Sequence, residues 1–244
     1  MSDNAKNEVV LRAKGVCAAY GKRQVLRDFG LQVRPGEVVA LLGLNGAGKS
    51  TALKALAGVI PLQKGAVWLD GQNVSALPAH IRARLGMGYV MQGGQVFPSL
   101  TVYESLHLAG GDPTRRDFEN RLQEILGVLP VLAKVKDRRA GLLSGGERQA
   151  LSVGLVLAAL GSPKVLLVDE PTASLAPEPA RELLVRLAEL AERQGTALVL
   201  VEQNIRECLG VSSRLVLLRG GKIIAEVPAN VATEDSVRER LFST

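Results

Sequence analysis

Aromatic side chains are scarce: Phe, Trp and Tyr make up 3% of the 244 residues. A core must therefore be built from aliphatic side chains, and no run of basic residues interleaved with aromatics marks a nucleic-acid surface. The two cysteines, Cys17 and Cys208, lie far apart without metal-like spacing. That excludes a disulfide framework and leaves reduced thiols in a cytosolic protein as the expectation. Long apolar runs are missing too. The longest, Leu151 to Leu160, is interrupted by Ser152 and Gly154 and is too short to span a bilayer. The stretch from Met1 to Glu8 is polar, so no signal peptide is expected there. Formal net charge is +6, and without a Lys/Arg cluster this reads as a solvated exterior, with no nucleic-acid partner.

What is present is an ordinary globular composition, 47% hydrophobic and 22% charged, enough for one large domain or two lobes. Glu8 to Val33 reads as short strands with turns at Tyr20-Gly21 and Arg34-Pro35-Gly36. Val38 to Leu42 is an apolar strand, followed by a helix carrying Leu53, Leu56 and Ala57 on one face and stopping at Gly58. Ala66 to Leu69 reads as a strand entering an Asp70-Gly71 turn. Thr101-Val102-Tyr103-Glu104 has the form of a capping box, Asp112-Pro113 is a break, and Arg116 to Leu129 is helical. Lys164 to Val168 and Ala197 to Val201 are further buried strands. Between them, Pro177 to Gln194 carries Leu183, Leu184, Leu187, Leu190 and Ala191 on one helical stripe. Arg214 to Val227 alternates around Gly220-Gly221 as a hairpin. Alternating strands and helices predict an α/β protein with a mainly parallel sheet, an N-terminal antiparallel β subdomain and a helical insertion.

Three motifs carry chemistry. Gly43-Leu44-Asn45-Gly46-Ala47-Gly48-Lys49-Ser50-Thr51 joins a buried strand to a helix and has the form of a phosphate loop. Its backbone N–H groups can face an anion. Nucleotide contacts are expected from Asn45, Gly46, Ala47, Gly48, Lys49, Ser50 and Thr51, with Lys49 supplying a cation and Ser50 a hydroxyl for Mg²⁺. Val165 to Glu170 is an apolar strand ending in two acids at its carboxyl end, where ligands bind in parallel sheets. Asp169 is expected to reach Mg²⁺ through its water shell, and Glu170 to polarise an attacking water. Leu143-Ser144-Gly145-Gly146-Glu147 precedes an apolar helix and presents a hydroxyl and bare amides at a helix N-terminus, a second anion-binding geometry.

That third motif, LSGGE, is where the sequence resembles the ABC ATPases, the nucleotide-binding subunits of ATP-binding cassette transporters. The resemblance covers nearly the whole chain, from about Val9 to the C-terminal hairpin. It implies the P-loop NTPase core of a two-lobe ABC ATPase spanning residues 8–244. The core lobe would comprise 8–92 and 161–244 and the helical lobe about 93–160, with 1–7 as a disordered tail. It also implies ATP and Mg²⁺ as cofactors, with Ser144, Gly145 and Gly146 closing over ATP held by a second ATP-binding subunit in a head-to-tail dimer. Tyr20 would stack on adenine, and Gln92 would touch Mg²⁺ and the water. Gly93 to Val102 would meet integral membrane permease subunits at the cytoplasmic face of the membrane.

Four positions depart from the family pattern. Val201-Glu202-Gln203-Asn204 carries Gln203 where most members have a histidine, and neither His80 nor His107 can replace it. Gln203 can donate to phosphate but cannot shuttle a proton. Ser174-Leu175-Ala176-Pro177 lacks the usual aspartate, Leu44 replaces a usual proline, and Leu155 stands where the helix after the signature usually carries arginine, a position that bears on local inter-lobe polar contacts. Gln203 with Leu175-Ala176-Pro177 resembles the smaller ATPase subunit of branched-chain amino-acid type importers. Import of amino acids or related amides, with an extracytoplasmic solute-binding protein, is the implied role. A low-turnover regulatory ATP clamp and a soluble non-transport ABC ATPase are the alternatives, and homodimer or heterodimer stays open.

Overall fold

The computed structural model describes residues 9–111, 114–173 and 175–242. The expected disordered tail, the Asp112-Pro113 break and Ser174 lie outside them. In chain order the strands and helices begin with β1 (Leu11–Tyr20), β2 (Arg23–Val33) and β3 (Val38–Leu42). There follow α1 (Lys49–Ala57), β4 (Lys64–Leu69), β5 (Gln72–Asn73), α2 (Ala79–Arg84) and β6 (Met87–Val90). Helices then dominate: α3 (Val102–Ala109), α4 (Arg115–Val128), α5 (Pro130–Ala133) and α6 (Gly145–Leu160). The chain returns through β7 (Val165–Asp169), α7 (Pro177–Gln194), β8 (Ala197–Val201) and α8 (Ile205–Val211). It finishes with β9 (Arg214–Arg219), β10 (Lys222–Pro228) and α9 (Glu234–Phe242).

Two sheets result. An antiparallel sheet has the order β2-β1-β4-β5, and a six-stranded sheet the order β10-β9-β3-β8-β7-β6. In the second, β9, β3, β8, β7 and β6 run parallel and β10 is an antiparallel edge. β1 and β2 correct one expectation, because they form a single long hairpin rather than short strands. Register shifts at Ala13/Val16 and Val16/Ala18 absorb the breaks in alternation, so pairing continues past them.

The parallel strands are apolar throughout because both of their faces are covered. Val165 and Leu167 of β7 join the core shared with the antiparallel sheet and α1, while Leu166 and Val168 join the core beneath the helices. β8 divides in the same way, with Val199 on one side and Leu198 and Leu200 on the other. α7 spans the residues expected of it and buries the expected stripe; each leucine there contributes about 2 kcal/mol. Leu155 sits half-buried among apolar neighbours of that helical core. A third cluster packs α8 and α9 on Ala40 and Leu42 of β3. The capping box at Thr101 is formed in both directions.

Candidate functional site

β3 is buried at all five positions, so the chain leaves the sheet with little freedom before it turns into α1. Gly48 caps α1 at φ 108°, a region closed to ordinary side chains, and no side chain caps the helix. The first N–H groups of α1 therefore keep their capacity for an anion, reinforced by the helix dipole. Lys49 Nζ lies over the loop, donating to Gly43 O at 2.8 Å and Leu44 O at 3.3 Å. Burial lowers its ammonium pKa, although Glu170, Asp169 and Glu202 act the other way.

The loop is braced from behind by the β9–β10 turn. Gly221 N donates to Ala47 O at 2.9 Å, and Arg27 N donates to Gly221 O at 2.9 Å. The contact is so close that a Cβ on Gly221 would lie 1.8 Å from Val25 O. In front of the loop is a cavity of about 380 Å³, bounded by Tyr20 and Arg23, the stretch from Asn45 to Thr51, and Glu170. That volume is in the range of small-ligand sites. Tyr20 is 48% exposed, presenting a ring at the cavity mouth.

Strand order puts β8 between β3 and β7, so the acidic strand does not adjoin the phosphate-loop strand. The first turn of α1 bridges the gap. Ser50 Oγ donates to Asp169 Oδ1 at 3.0 Å, and Tyr89 Oη donates to Oδ2 at 3.3 Å. Burial raises the Asp169 carboxyl above its usual range despite these two bonds. Burial, and then Asp169 itself, push the Tyr89 phenol upward, so it remains a donor.

Glu170 takes φ 47°, a left-handed conformation that is strained for a residue with a side chain. Its carboxylate is held on both sides. Gln92 Nε2, just beyond β6, donates to Oε2 at 2.7 Å, and Gln203 Nε2, just beyond β8, donates to Oε1 at 2.9 Å. The ends of three parallel strands thus converge on one carboxylate at the edge of the cavity. A carboxylate fixed this way can accept a proton from water placed beside a phosphate.

Sequence reasoning missed Tyr89 and Glu202. Each had a signal: Tyr89 is the polar ring in a short apolar strand, and Glu202 directly follows the wholly buried β8. Glu202 is 3% exposed. It accepts from Thr172 N at 3.1 Å and Thr172 Oγ1 at 2.8 Å.

Ser144, Gly145 and Gly146 lie elsewhere. Ser144 caps α6, its Oγ accepting from Glu147 N at 3.3 Å, while Glu147 accepts from Ser144 N at 2.8 Å. That amide, aided by Arg138, holds the Glu147 carboxyl below its usual range. These residues border a different cavity of about 390 Å³, closed by Leu175 and α7. Within a single chain the N-termini of α1 and α6 open on different cavities.

Among the described residues, no group of three or more His, Cys, Asp or Glu can form a metal cage. His80 and His107 are exposed on other elements, and the His107 ring packs on Phe118. The donors at the site are the Ser50 hydroxyl, the Asp169 carboxylate and the Gln92 amide. This hard-oxygen set suits Mg²⁺, which keeps several waters and shares its ligands with phosphate.

The model of the family described as ABC transporter matches residues 26–173. Among curated relatives, the high-affinity branched-chain amino acid transport ATP-binding protein BraG of Pseudomonas aeruginosa is 36% identical over 225 residues, covering 92% of this chain and 95% of the relative. The lipopolysaccharide export system ATP-binding protein LptB of Haemophilus influenzae is 34% identical over 233 residues, covering 94% and 95%. Among solved structures, the ATP-binding cassette MJ1267 of an ABC transporter superposes with a TM-score of 0.83 at 25% identity, over 96% of this chain and 99% of that one.

Proposed function

This chain belongs to the ABC transporter family and is one of its ATPases, and on that premise we propose that it powers a membrane permease through a dimer with two shared ATP sites. The observation that carries this reading is the separation of the two anion-binding helix ends. The phosphate loop faces one cavity, and Ser144 to Gly146 face another. A second ATP-binding subunit, turned head to tail, supplies the missing Ser144 to Gly146.

In each site Asn45 to Thr51 cradle the phosphates and Tyr20 stacks on the base. Lys49 leaves the carbonyls of Gly43 and Leu44 for the β- and γ-phosphates. Ser50, Asp169 and Gln92 hold Mg²⁺, which when bound offsets phosphate charge. Glu170 orients and deprotonates the attacking water, with Gln92 and Gln203 keeping its carboxylate in place. Catalysis by these groups is mostly positioning and charge stabilisation.

The permease partners dock near Gly93 to Val102 at the cytoplasmic membrane face. The proposed attachment is peripheral; no described helix is long and apolar enough to cross a membrane. For cargo, Gln203, Leu175-Ala176-Pro177 and the likeness to BraG favour import of amino acids or related amides, with a solute-binding protein outside. The nearly equal likeness to LptB supports a second reading, an export system. Reconstitution with its cognate permeases, followed by a measurement of amino-acid uptake, separates the two.

The site itself is tested by complementation. Lys49→Ala and Gly145→Asp should each lower turnover by more than about tenfold, one at each half of the site. Mixing the two variants should restore part of the activity, because one of the two shared sites is then intact. No recovery on mixing, with both variants folded and dimerising, would remove the shared-site reading.

A further inference from the structure

Glu202 is a buried acid that the chemistry above does not use. Its three acceptances close a ring around the catalytic carboxylate. Glu170 Oε1 accepts from Gln203 Nε2 at 2.9 Å. The backbone N of Gln203 donates to Glu202 Oε2 at 3.3 Å. Glu202 Oε1 accepts both donors of Thr172, N at 3.1 Å and Oγ1 at 2.8 Å. Thr172 returns to Glu170 through Pro171. A further bond, from Glu170 N to Val201 O at 2.9 Å, lies across the ring.

A carboxylate in this position is costly, because burial, and after it the nearby charge of Glu170, raise the Glu202 carboxyl, and no ion pair of Glu202 offsets them among the described residues. What the carboxylate supplies is direction: it reaches two strand ends at once, each within two residues of a group that governs Glu170. Glu170 needs such support, since a left-handed Glu persists only where its surroundings over-determine it.

We propose that Glu202 is a positioning residue, which through Thr172 on one side and Gln203 on the other fixes both the left-handed backbone of Glu170 and the aim of its carboxylate. The inference rests on the reading of Glu170 as the hydrolytic base. It predicts that loss of the ring lowers kcat while ATP affinity is kept, because the phosphate loop is held separately by β3 and the Gly221 turn.

The test uses the full chain and measures three things: steady-state ATP turnover, affinity for a fluorescent ATP analogue, and hydrogen exchange over residues 169–175 without nucleotide. Glu202→Leu and Thr172→Val should lower kcat by about tenfold or more, with affinity within about threefold. Thr172→Ser, which keeps the hydroxyl, should stay within about twofold of the parent. Glu202→Gln, which keeps an acceptor for Thr172, should be faster than Glu202→Leu. Exchange over 169–175 should rise about tenfold in Glu202→Leu. If Glu202→Leu does not fold, the Thr172→Val and Thr172→Ser pair decides. Parental kcat in Thr172→Val, beside an inactive Glu170→Gln, overturns the proposal. An active Glu170→Gln instead removes the reading of Glu170, and unchanged exchange in Glu202→Leu then overturns the ring on its own.

Discussion

Gln203 donates its side-chain amide to Glu170 Oε1 at 2.9 Å, so a group uncharged at any pH steadies the acid at the end of β7. A hydrogen bond to a charged acceptor is worth about 1.5–3 kcal/mol. Gln203→Ala should therefore lower kcat by about ten- to a hundredfold, with nucleotide affinity nearly unchanged. Gln203→His should recover activity and add an inflection near pH 6.5 that the parent lacks. A pH–rate profile for the three proteins settles it, and a parent profile with that inflection would count against the assignment.

Glu202 links stability to pH. Burial raises its folded-state pKa. An acid shifted upward stabilises the fold fully below its unfolded value, near 4.3, and that contribution is lost as pH rises through the folded value. Glu202→Gln removes the buried charge, so at pH 7.5 it should be more stable than the parent, with a higher Tm. The gain should shrink toward pH 4. Calorimetry at the two pH values checks the sign, and a variant less stable at both shows that hydrogen bonding outweighs desolvation.

Arg82 is 2% exposed and spends its guanidinium on carbonyls alone. It donates to Leu77 O at 2.9 Å, Ala55 O at 3.0 Å, Leu56 O at 2.5 Å and Ser75 O at 2.9 Å. Two of these belong to the last turn of α1, where Ala55 O otherwise takes only a long bond from Gly58 N at 3.3 Å. Arg82→Met should destabilise by about 3–5 kcal/mol. Lysine should not rescue, because a point ammonium cannot span the fork. Denaturant midpoints give the answer, and a midpoint unchanged in Arg82→Met would sink the claim.

Gly221 is a site where even one methyl group is too many. Its φ is 79°, and a Cβ would meet Val25 O at 1.8 Å. Gly221→Ala must push the turn away from Ala47 O, and the phosphate loop with it. ATP affinity should fall by about tenfold or more, with stability down by over about 1 kcal/mol. Titration with a fluorescent nucleotide measures the first; parental affinity would show that the brace is dispensable.

The legible parts of the chain share one property: their signal is local. β3, β7 and β8 read as strands because burial on both faces makes each a continuous apolar run. α7 was legible to the residue from its stripe and its closing Gly195. The phosphate loop belongs with them, since its anion-binding backbone depends on contiguous residues. The β1–β2 hairpin was misread as short strands because bulges disguise its alternation.

The tertiary structure decided what meets across strand ends. Strand order interposes β8 between β3 and β7, and no periodicity encodes that order. Only the assembled sheet brings Gln92 and Gln203 to opposite oxygens of Glu170, sets Tyr89 beside Asp169, and closes Thr172 on Glu202. It also keeps Ser144 to Gly146 away from the phosphate loop of their own chain. The sequence by itself determined which groups are proposed to bind phosphate, because that proposal depends on local backbone. Their division between two cavities follows from long-range packing, which only the folded chain specifies.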